Sequence, residues 1–400
     1  MLPFSERAIE FTDRQRRVHE AVGEICAEFD REYWRERDAA GEYPHAFVEA
    51  LAEEGWLGVL VPEEYGGKGL DTAEAVVMME TIAASGAGFS GAQTIHAAVY
   101  NSAPLVAHGN DAMKEELLPR VASGDAWIQC FSLTEPKAGS ESTAIETRAR
   151  REGEEYVIDG EKLWTSRIDV SDYAVVAART TPKSDVERKT EGISLFLVDL
   201  ERAFDAGSIH LEEIEKTASN VVSSFRVRYD GLRVPADALI GEEDRGFYHV
   251  LDGLNEERLV ITAECTGLGE LAIERGAAYA GEREVFGRFI GSNQAVQHPL
   301  AAAYARVQAA RQLVYAAAGR TDDDPKTIGT WANVAKYLAS EACFEAADAA
   351  VQTHGGRGVA REYDVERYFR EARLTRLVPI TQELALNYVG ENVLGLPRSF

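Results

Sequence analysis

Between residues 14 and 34 the apolar residues Val18, Val22, Ile25 and Phe29 recur at helical intervals among charges. That spacing predicts an amphipathic helix with one buried stripe. Pro44 and Gly55 bracket a second helix over 46–54, because proline suits a first helical turn and glycine the residue after a last one. The apolar run from Trp56 to Val61 ends in Pro62 and the pair Gly66-Gly67, a tight, shaped loop. Further helices are predicted over 73–84 and 96–108.

Near residue 127 the period changes. Residues 155–160 alternate, 173–178 and 193–200 are short β-rich runs, and 225–229 alternate again before Asp230-Gly231. A block of about a hundred residues with so many short strands predicts a small barrel or sandwich. The polar stretch 182–191 is a loop tip. After Gly241 helical periodicity returns over 254–280, over 300–318 with Tyr304, Val307 and Val314 on one stripe, and over the alanine-rich 331–350. Such lengths suit a helix bundle. The fold class is thus α+β: an N-terminal α-helical domain over 1–126, a middle β domain over 127–240 and a C-terminal helix-bundle domain over 241–400. A cofactor belongs where the middle domain meets the bundle.

Composition narrows the functions. The 400 residues are 45% hydrophobic and 27% charged, with a formal net charge of −25. This is a globular chain long enough for two or three domains. Nucleic acid and anionic membranes would repel it. The acids are spread along the chain, which favours adaptation to a salty cytoplasm over a functional acidic patch. Cys26, Cys130, Cys265 and Cys343 lack any CxxC spacing, so neither a disulfide framework nor a zinc site is expected, and a cytoplasmic home is. No signal-peptide pattern and no membrane span are read in the sequence. His96 and His108 have no partners at metal-ligand spacing and are expected to be packing or surface histidines.

The candidate chemistry lies in four stretches. CFSLTEPKAG, from Cys130 to Gly139 and followed by Ser140, offers amides and hydroxyls in one turn shaped by a proline. Lys162-Leu163-Trp164-Thr165-Ser166 sets an indole among hydroxyls, as a flat, polar, redox-active ring requires. Arg283-Glu284-Val285-Phe286-Gly287-Arg288, then Asn293-Gln294, supplies a guanidinium fork for a pyrophosphate and an aromatic for a nucleotide. Gln352-Thr353-His354-Gly355-Gly356-Arg357-Gly358 lets backbone approach phosphates; with no strand before it, it reads equally as a helix cap.

The order LGVLVPEEYGG, FSLTEPKAGS, KLWTS, REVFG with NQ, and QTHGGRG with VERYFREAR resembles the acyl-CoA dehydrogenase flavoprotein family over nearly the whole chain. The resemblance implies a helical domain, a β-domain and a four-helix bundle, a homotetramer, and FAD with a CoA thioester against the flavin. It implies that Phe131, Leu133, Thr134 and Ser140 form the flavin and substrate loop, with Lys137 where glycine is usual. Trp164 and Ser166 would lie against the flavin ring, Ser166 replacing the usual threonine. Arg283, Phe286, Gln294, Gln352, Gly355 and Gly356 would hold the adenosine diphosphate of a neighbouring subunit's FAD. Thr381 would contact the cofactor. The implied reaction is α,β-dehydrogenation to a 2-enoyl-CoA: a carboxylate removes an α-proton, the β-hydride passes to flavin N5, and electrons leave to an electron-transferring flavoprotein. The resemblance implies a place in fatty acid or branched-chain catabolism.

Many members carry the catalytic glutamate directly before Gly-Thr, but here Pro379, Ile380 and Thr381 occupy those places. Members resembling isovaleryl-CoA and long-chain enzymes carry it on the first long bundle helix, in GLDLER. Gly253-Leu254-Asn255-Glu256-Glu257-Arg258 matches that segment, which implies Glu257 as base, with Asn255, Arg258 and Ser140 at the substrate. Glu256 points about 100° away. Glu383 is the second candidate. Ile380 and the moved base suggest a branched or medium acyl chain, with Val99 and Leu254 among possible lining residues. Two rivals stand beside this: an oxygen-using oxidase or monooxygenase of the same fold, and a non-catalytic flavin- or CoA-binding subunit.

Overall fold

The computed structural model describes residues 9–320 and 324–399. Its first part is helical: α1 (Asp13–Ala27), α2 (Arg31–Ala40), α3 (His45–Glu53), α4 (Thr72–Ile82), α5 (Gly88–His108) and α6 (Asp111–Ser123). The single helix expected over 14–34 is two. The Asp30 carboxylate accepts a hydrogen bond from Tyr33 N at 2.9 Å and caps α2, since a short acidic side chain satisfies an orphan first-turn amide. α5 begins at Gly88, earlier than the expected 96, after a π-helical turn over Ala83–Ala87 in which Gly86 takes φ 115°. α6 was not expected; Asn110 caps it by accepting from Met113 N at 2.9 Å. The run expected as a shaped loop holds two 3-10 turns, Trp56–Gly58 and Glu63–Tyr65. A methyl at Gly67 would meet Val61 O at 2.1 Å, so only glycine fits.

The middle part holds β1 (Cys130–Ser132), β2 (Arg148–Glu152), β3 (Glu155–Ser166), β4 (Tyr173–Arg179), β5 (Ile193–Asp199), α7 (Leu200–Asp205), β6 (Ile209–Glu213), β7 (Ser224–Pro235) and β8 (Leu239–Ile240). The strands run β6-β7-β3-β2-β4-β5-β8, and β1 also joins β4. β4 is where the sheet turns. One edge pairs antiparallel with β5; the other pairs in parallel with β1 from Cys130↔Ala174 to Ser132↔Val176 and meets β2 only at Arg148↔Arg179. The sheet therefore folds over itself, and Tyr156 and Ile158 of β3 share a core with Val176, Ala178, Phe196 and Val198. The expected small barrel or sandwich takes the form of one sheet doubled back on itself.

Beyond it stand α8 (Gly246–Glu282), a hairpin of β9 (Glu284–Val285) and β10 (Arg288–Phe289), α9 (Gln294–Ala318), α10 (Pro325–His354), α11 (Val365–Thr375) and α12 (Gln382–Tyr388). Small residues bring α8 and α9 together: methyls at Gly269 and Gly276 would lie 2.9 Å from Val307 and Leu300 side chains. The buried stripe of α9 is Leu300, Ala303, Val307, Ala310, Val314 and Ala317, alternating steps of three and four. Tyr304, expected on that stripe, lies off it and is 40% exposed.

Buried ion pairs join the helical parts. Arg311 of α9 gives Nε to Glu80 of α4 at 2.6 Å and also pairs with Glu270 of α8. Arg367 of α11 pairs with Glu371 at 2.9 Å and donates to the carbonyls of Gly86 and Ala87. All four cysteines are free and buried. Among the described residues no group of His, Cys, Asp and Glu could hold a metal, and no helix is long and apolar enough to cross a membrane.

Candidate functional site

α5 and α8 run antiparallel against one face of the sheet. Ala103 sits beside Gly253 at one end of their contact, and His96 meets Glu264 at the other, Nδ1 to Oε1 at 2.5 Å. Between these two points lies a narrow cleft. Its lining is Tyr100, Asn101 and Pro104 of α5, Val250, Gly253, Leu254 and Glu257 of α8, and Phe131 and Val175, which pair across β1 and β4. Val250, Gly253, Leu254 and Glu257 fall within about 100° of one another around α8 at 100° per residue. Helical spacing alone thus delivers Glu257 to the cleft.

Glu257 is 8% exposed. Burial pushes its carboxyl above the ordinary carboxylate range, His96 and Arg258 pull it back, and Glu264 adds to the rise. Glu264 is fixed from two sides, by His96 and by Gln93 Nε2 at 2.7 Å. His96 is thus more than packing: its ring is a buried hydrogen-bond partner of the Glu264 carboxylate, two helical turns along α8 from Glu257. Sequence reasoning missed Glu264, Tyr100 and Asn101. The signal was present as i,i+4 spacing of His96 with Tyr100 and i,i+7 spacing of Glu257 with Glu264, but pairing the two helices needed the fold.

The expected substrate residues Asn255 and Arg258 are not among the cleft-lining residues. Arg258 Nη1 donates to Asn255 Oδ1 at 2.9 Å, and Asn255 lies near Gly329 of α10. Asn255 is about 200° around the helix from Glu257. Glu256 is only part-buried, its carboxyl also raised by burial. Glu383 is exposed in the first turn of α12, where its own backbone amide and Thr381 hold its carboxyl below the ordinary range. Such a carboxylate is solvated and weakly basic. Thr381 caps that helix, its hydroxyl accepting from Leu384 N at 3.4 Å.

The first two sequence stretches meet. Leu163 N donates to Thr134 O at 2.8 Å, and the fully buried Lys162 Nζ donates to Leu133 O and to Glu135 Oε1, both at 2.9 Å. The Glu135 carboxylate also accepts from Glu146 N at 2.6 Å and Thr147 N at 3.0 Å. Burial raises its proton affinity, but Lys162 and these donors more than offset that and hold it low. Burial lowers the Lys162 ammonium to about 8. Neither residue was foreseen, because charged residues look like surface in a sequence.

This staple ends where β3 bulges against β7, between Lys162 and Thr165. There Trp164 takes φ 59° and turns out, its ring 53% exposed. Ser132 and Thr165 hydroxyls lie 3.2 Å apart, and Ser166 and Ser224 hydroxyls 2.8 Å apart. Phe131, Leu133 and Thr134 are part-buried and Ser140 exposed. An indole held outward beside a hydroxyl cluster fits an isoalloxazine ring. Lys162→Met should leave Glu135 buried with amide partners only and cost about 2–3 kcal/mol. Urea unfolding of Lys162→Met and of Lys162→Met/Glu135→Gln checks this: the double variant should recover most of the loss.

The remaining expected cofactor residues gather at the far end of the bundle. Tyr279 of α8 stacks on His354 of α10 at 4.2 Å. Arg283 follows one turn later, and Gln352, Gly355 and Gly356 surround the end of α10. Methyls at Gly355 and Gly356 would meet nothing within 4 Å. Gln294 opens α9. Phe286 lies between β9 and β10, fully exposed with φ 55°. Tyr279 is 22 residues from Glu257, roughly 33 Å along α8 at 1.5 Å per residue.

Known proteins match this arrangement throughout. The N-terminal, middle and C-terminal domain models of acyl-CoA dehydrogenase match residues 12–125, 130–230 and 244–394. The acyl-CoA dehydrogenase fadE12 of Mycobacterium bovis is 36% identical over 395 residues, 98% of each chain. Butyryl-CoA dehydrogenase from Megasphaera elsdenii superposes with a TM-score of 0.89 at 26% identity, covering 96% of this chain and 99% of that one. A structure described as the electron-transferring flavoprotein of Acidaminococcus fermentans gives 0.89 at 29% identity, covering 96% and 99%. With the domains matched in order from residue 12 to residue 394, the chain belongs to the acyl-CoA dehydrogenase family.

Proposed function

We propose that the protein removes the α-proton of an acyl-CoA with Glu257 and converts the thioester to the 2-enoyl-CoA. The supporting observation is the buried Glu257 carboxylate in a cleft shared with Phe131 and Val175, its proton affinity raised by burial. A desolvated carboxylate is a stronger base than one in water. The family's cofactor, FAD, supplies a two-electron acceptor when bound. This chain's part is to hold the ring at Trp164, Ser166 and the staple beneath them, to exclude water with Phe131, Val175, Val250 and Leu254, and to receive the proton on Glu257. Thr134, Leu133 and Ser140 belong to the same loop and are assigned to the flavin and thioester.

The cofactor's other end is assigned to a second copy of the chain. Arg283 and Phe286 follow Tyr279, which is itself roughly 33 Å from Glu257 along α8 at 1.5 Å per residue and stacks on His354 beside Gly355 and Gly356; that is too far for one flavin dinucleotide to bridge within a protomer, and Phe286 is fully exposed. A homotetramer provides such a neighbour. Phe286→Ser should keep the fold but lower FAD retention through gel filtration at least about tenfold; retention like that of the wild type would place the adenosine elsewhere. The domain boundaries are placed after residues 126 and 240, in the stretches between α6 and β1 and between β8 and α8. An electron-transferring flavoprotein as acceptor, a cytoplasmic home, adaptation to salt, and a branched or medium acyl chain complete the proposal.

Anaerobic mixing of the FAD-loaded protein with a panel of saturated acyl-CoAs tests it. Bleaching of the oxidised flavin band with one chain type is the expected result. Rapid reoxidation by oxygen of a flavin so bleached would instead favour an oxidase, for which Pro379, without an N–H where the family has an amide, is the motive. Tight thioester binding with no bleaching would favour a non-catalytic subunit.

A further inference from the structure

Nearly every buried polar atom in a folded protein has a hydrogen-bond partner, so an orphan in a ligand cleft is informative. Asn101 is 2% exposed, and its Nδ2 donates to Ile128 O at 3.0 Å, which fixes the orientation of the carboxamide. Its Oδ1 is buried with no partner among the described residues. Asn101 lines the cleft that holds Glu257. One residue earlier, Tyr100 lines the same cleft. Phe131, Val175, Val250, Leu254 and Pro104 make the rest of that lining apolar, Glu257 apart.

An alkyl chain laid in this cleft would shut Oδ1 away from water and leave it unpaired, which costs affinity. A carboxamide oxygen only accepts, so the ligand must bring a donor. A protonated amine would pair with the Glu257 carboxylate and lower its proton affinity, against its work as a base. A hydroxyl is neutral, donates to Asn101 and can accept from Tyr100. We propose that the acyl group taken by this cleft carries a hydroxyl beyond its β-carbon, bound by Asn101 Oδ1 and the Tyr100 hydroxyl, so that the substrate class is hydroxyacyl-CoA. The inference rests on the reading of the cleft as the acyl site. A hydroxyl beyond the β-carbon leaves in place the α and β C–H bonds that the reaction breaks.

The test compares isosteric pairs on the FAD-loaded protein: 4-hydroxybutanoyl-CoA against pentanoyl-CoA, and 5-hydroxypentanoyl-CoA against hexanoyl-CoA. Dissociation constants come from calorimetric titration under anaerobic conditions, and flavin bleaching is followed in parallel. In at least one pair the hydroxyacyl thioester should bind about tenfold or more tightly than its alkyl partner, and Asn101→Leu should abolish or invert that ratio. Asn101→Leu also loses the bond to Ile128, so Tyr100→Phe, which removes one oxygen, reads the ratio again and should lower it. Equal or tighter binding of the alkyl partner in both pairs overturns the proposal and assigns an internal water to Oδ1. So does a ratio that both variants leave within twofold of wild type. Binding ratios decide this question alone; absence of bleaching with all four thioesters would count against the dehydrogenase reading instead.

Discussion

Glu257→Gln is expected to slow flavin bleaching by substrate by about 10²- to 10⁴-fold, with FAD and thioester binding retained. The substitution is isosteric and removes only the charge and the basic lone pair. It should not unfold the protein, because burial already disfavours the charged carboxylate at this position. The sign is definite. A carboxyl whose folded pKa lies above its unfolded value stabilises the fold fully below the unfolded pKa, and that contribution is lost as pH rises through the folded value. At neutral pH the ionised Glu257 is therefore a burden on the fold, and the glutamine variant should unfold at equal or higher urea. Wild-type bleaching should fall as pH drops through a value above the ordinary carboxylate range, because the base must be ionised to work. Glu383→Gln, on the exposed first turn of α12, should change neither rate nor profile. Bleaching by Glu257→Gln at the wild-type rate would remove Glu257 as base.

Why Glu257 could be named from sequence, and Tyr100 and Asn101 could not, follows from where each signal resides. The segment from Gly253 to Arg258 is continuous, and a helix places Glu257 with Leu254 and Val250 by spacing alone. Tyr100 and Asn101 reach the same cleft only because α5 packs antiparallel on α8, a contact between residues more than 150 positions apart. The long bundle helices were legible for a related reason: α9 has one buried stripe. α4 is buried at every residue but Ala73, so it was legible by length and apolar content and not by a face. β2, Arg148–Glu152, is charged at every position but Ala149, its one buried residue, and it was missed. The joint between α1 and α2 was missed because the apolar stripe runs on across it while Asp30 restarts the helix. Charge was the most misleading signal. Nothing in so acidic a chain marks Glu135, Lys162, Glu264 and Glu371 apart from solvated acids and bases, yet each is buried and paired.

The buried pairs with most at stake are those of Arg311. Its Nε meets Glu80 Oε1 at 2.6 Å and its Nη2 pairs with Glu270, while Thr266 and Tyr315 hydroxyls each donate to Glu80 at 2.6 Å. One guanidinium thus serves carboxylates from α4 and α8 while standing on α9. Arg311→Leu would leave both acids buried without their cation and should cost about 3–5 kcal/mol. Burial raises the proton affinity of Glu80, but Arg311 and the two hydroxyls more than offset it, so its carboxyl is held below the ordinary range. In the wild type this group contributes stability above its unfolded pKa, lost as pH falls through the folded value. Without Arg311 burial prevails, the carboxyl is raised, and the sign reverses: the variant gains relative to wild type as pH falls. Urea unfolding at pH 5 and pH 8 should show the gap narrowing at pH 5. Added salt should not close it, because buried charges are poorly screened, whereas Arg311→Leu/Glu80→Gln/Glu270→Gln should recover most of the loss. A gap equal at both pH values, or closed by salt, would mean that water reaches Glu80 and Glu270 and that these helices are held together by their apolar faces alone.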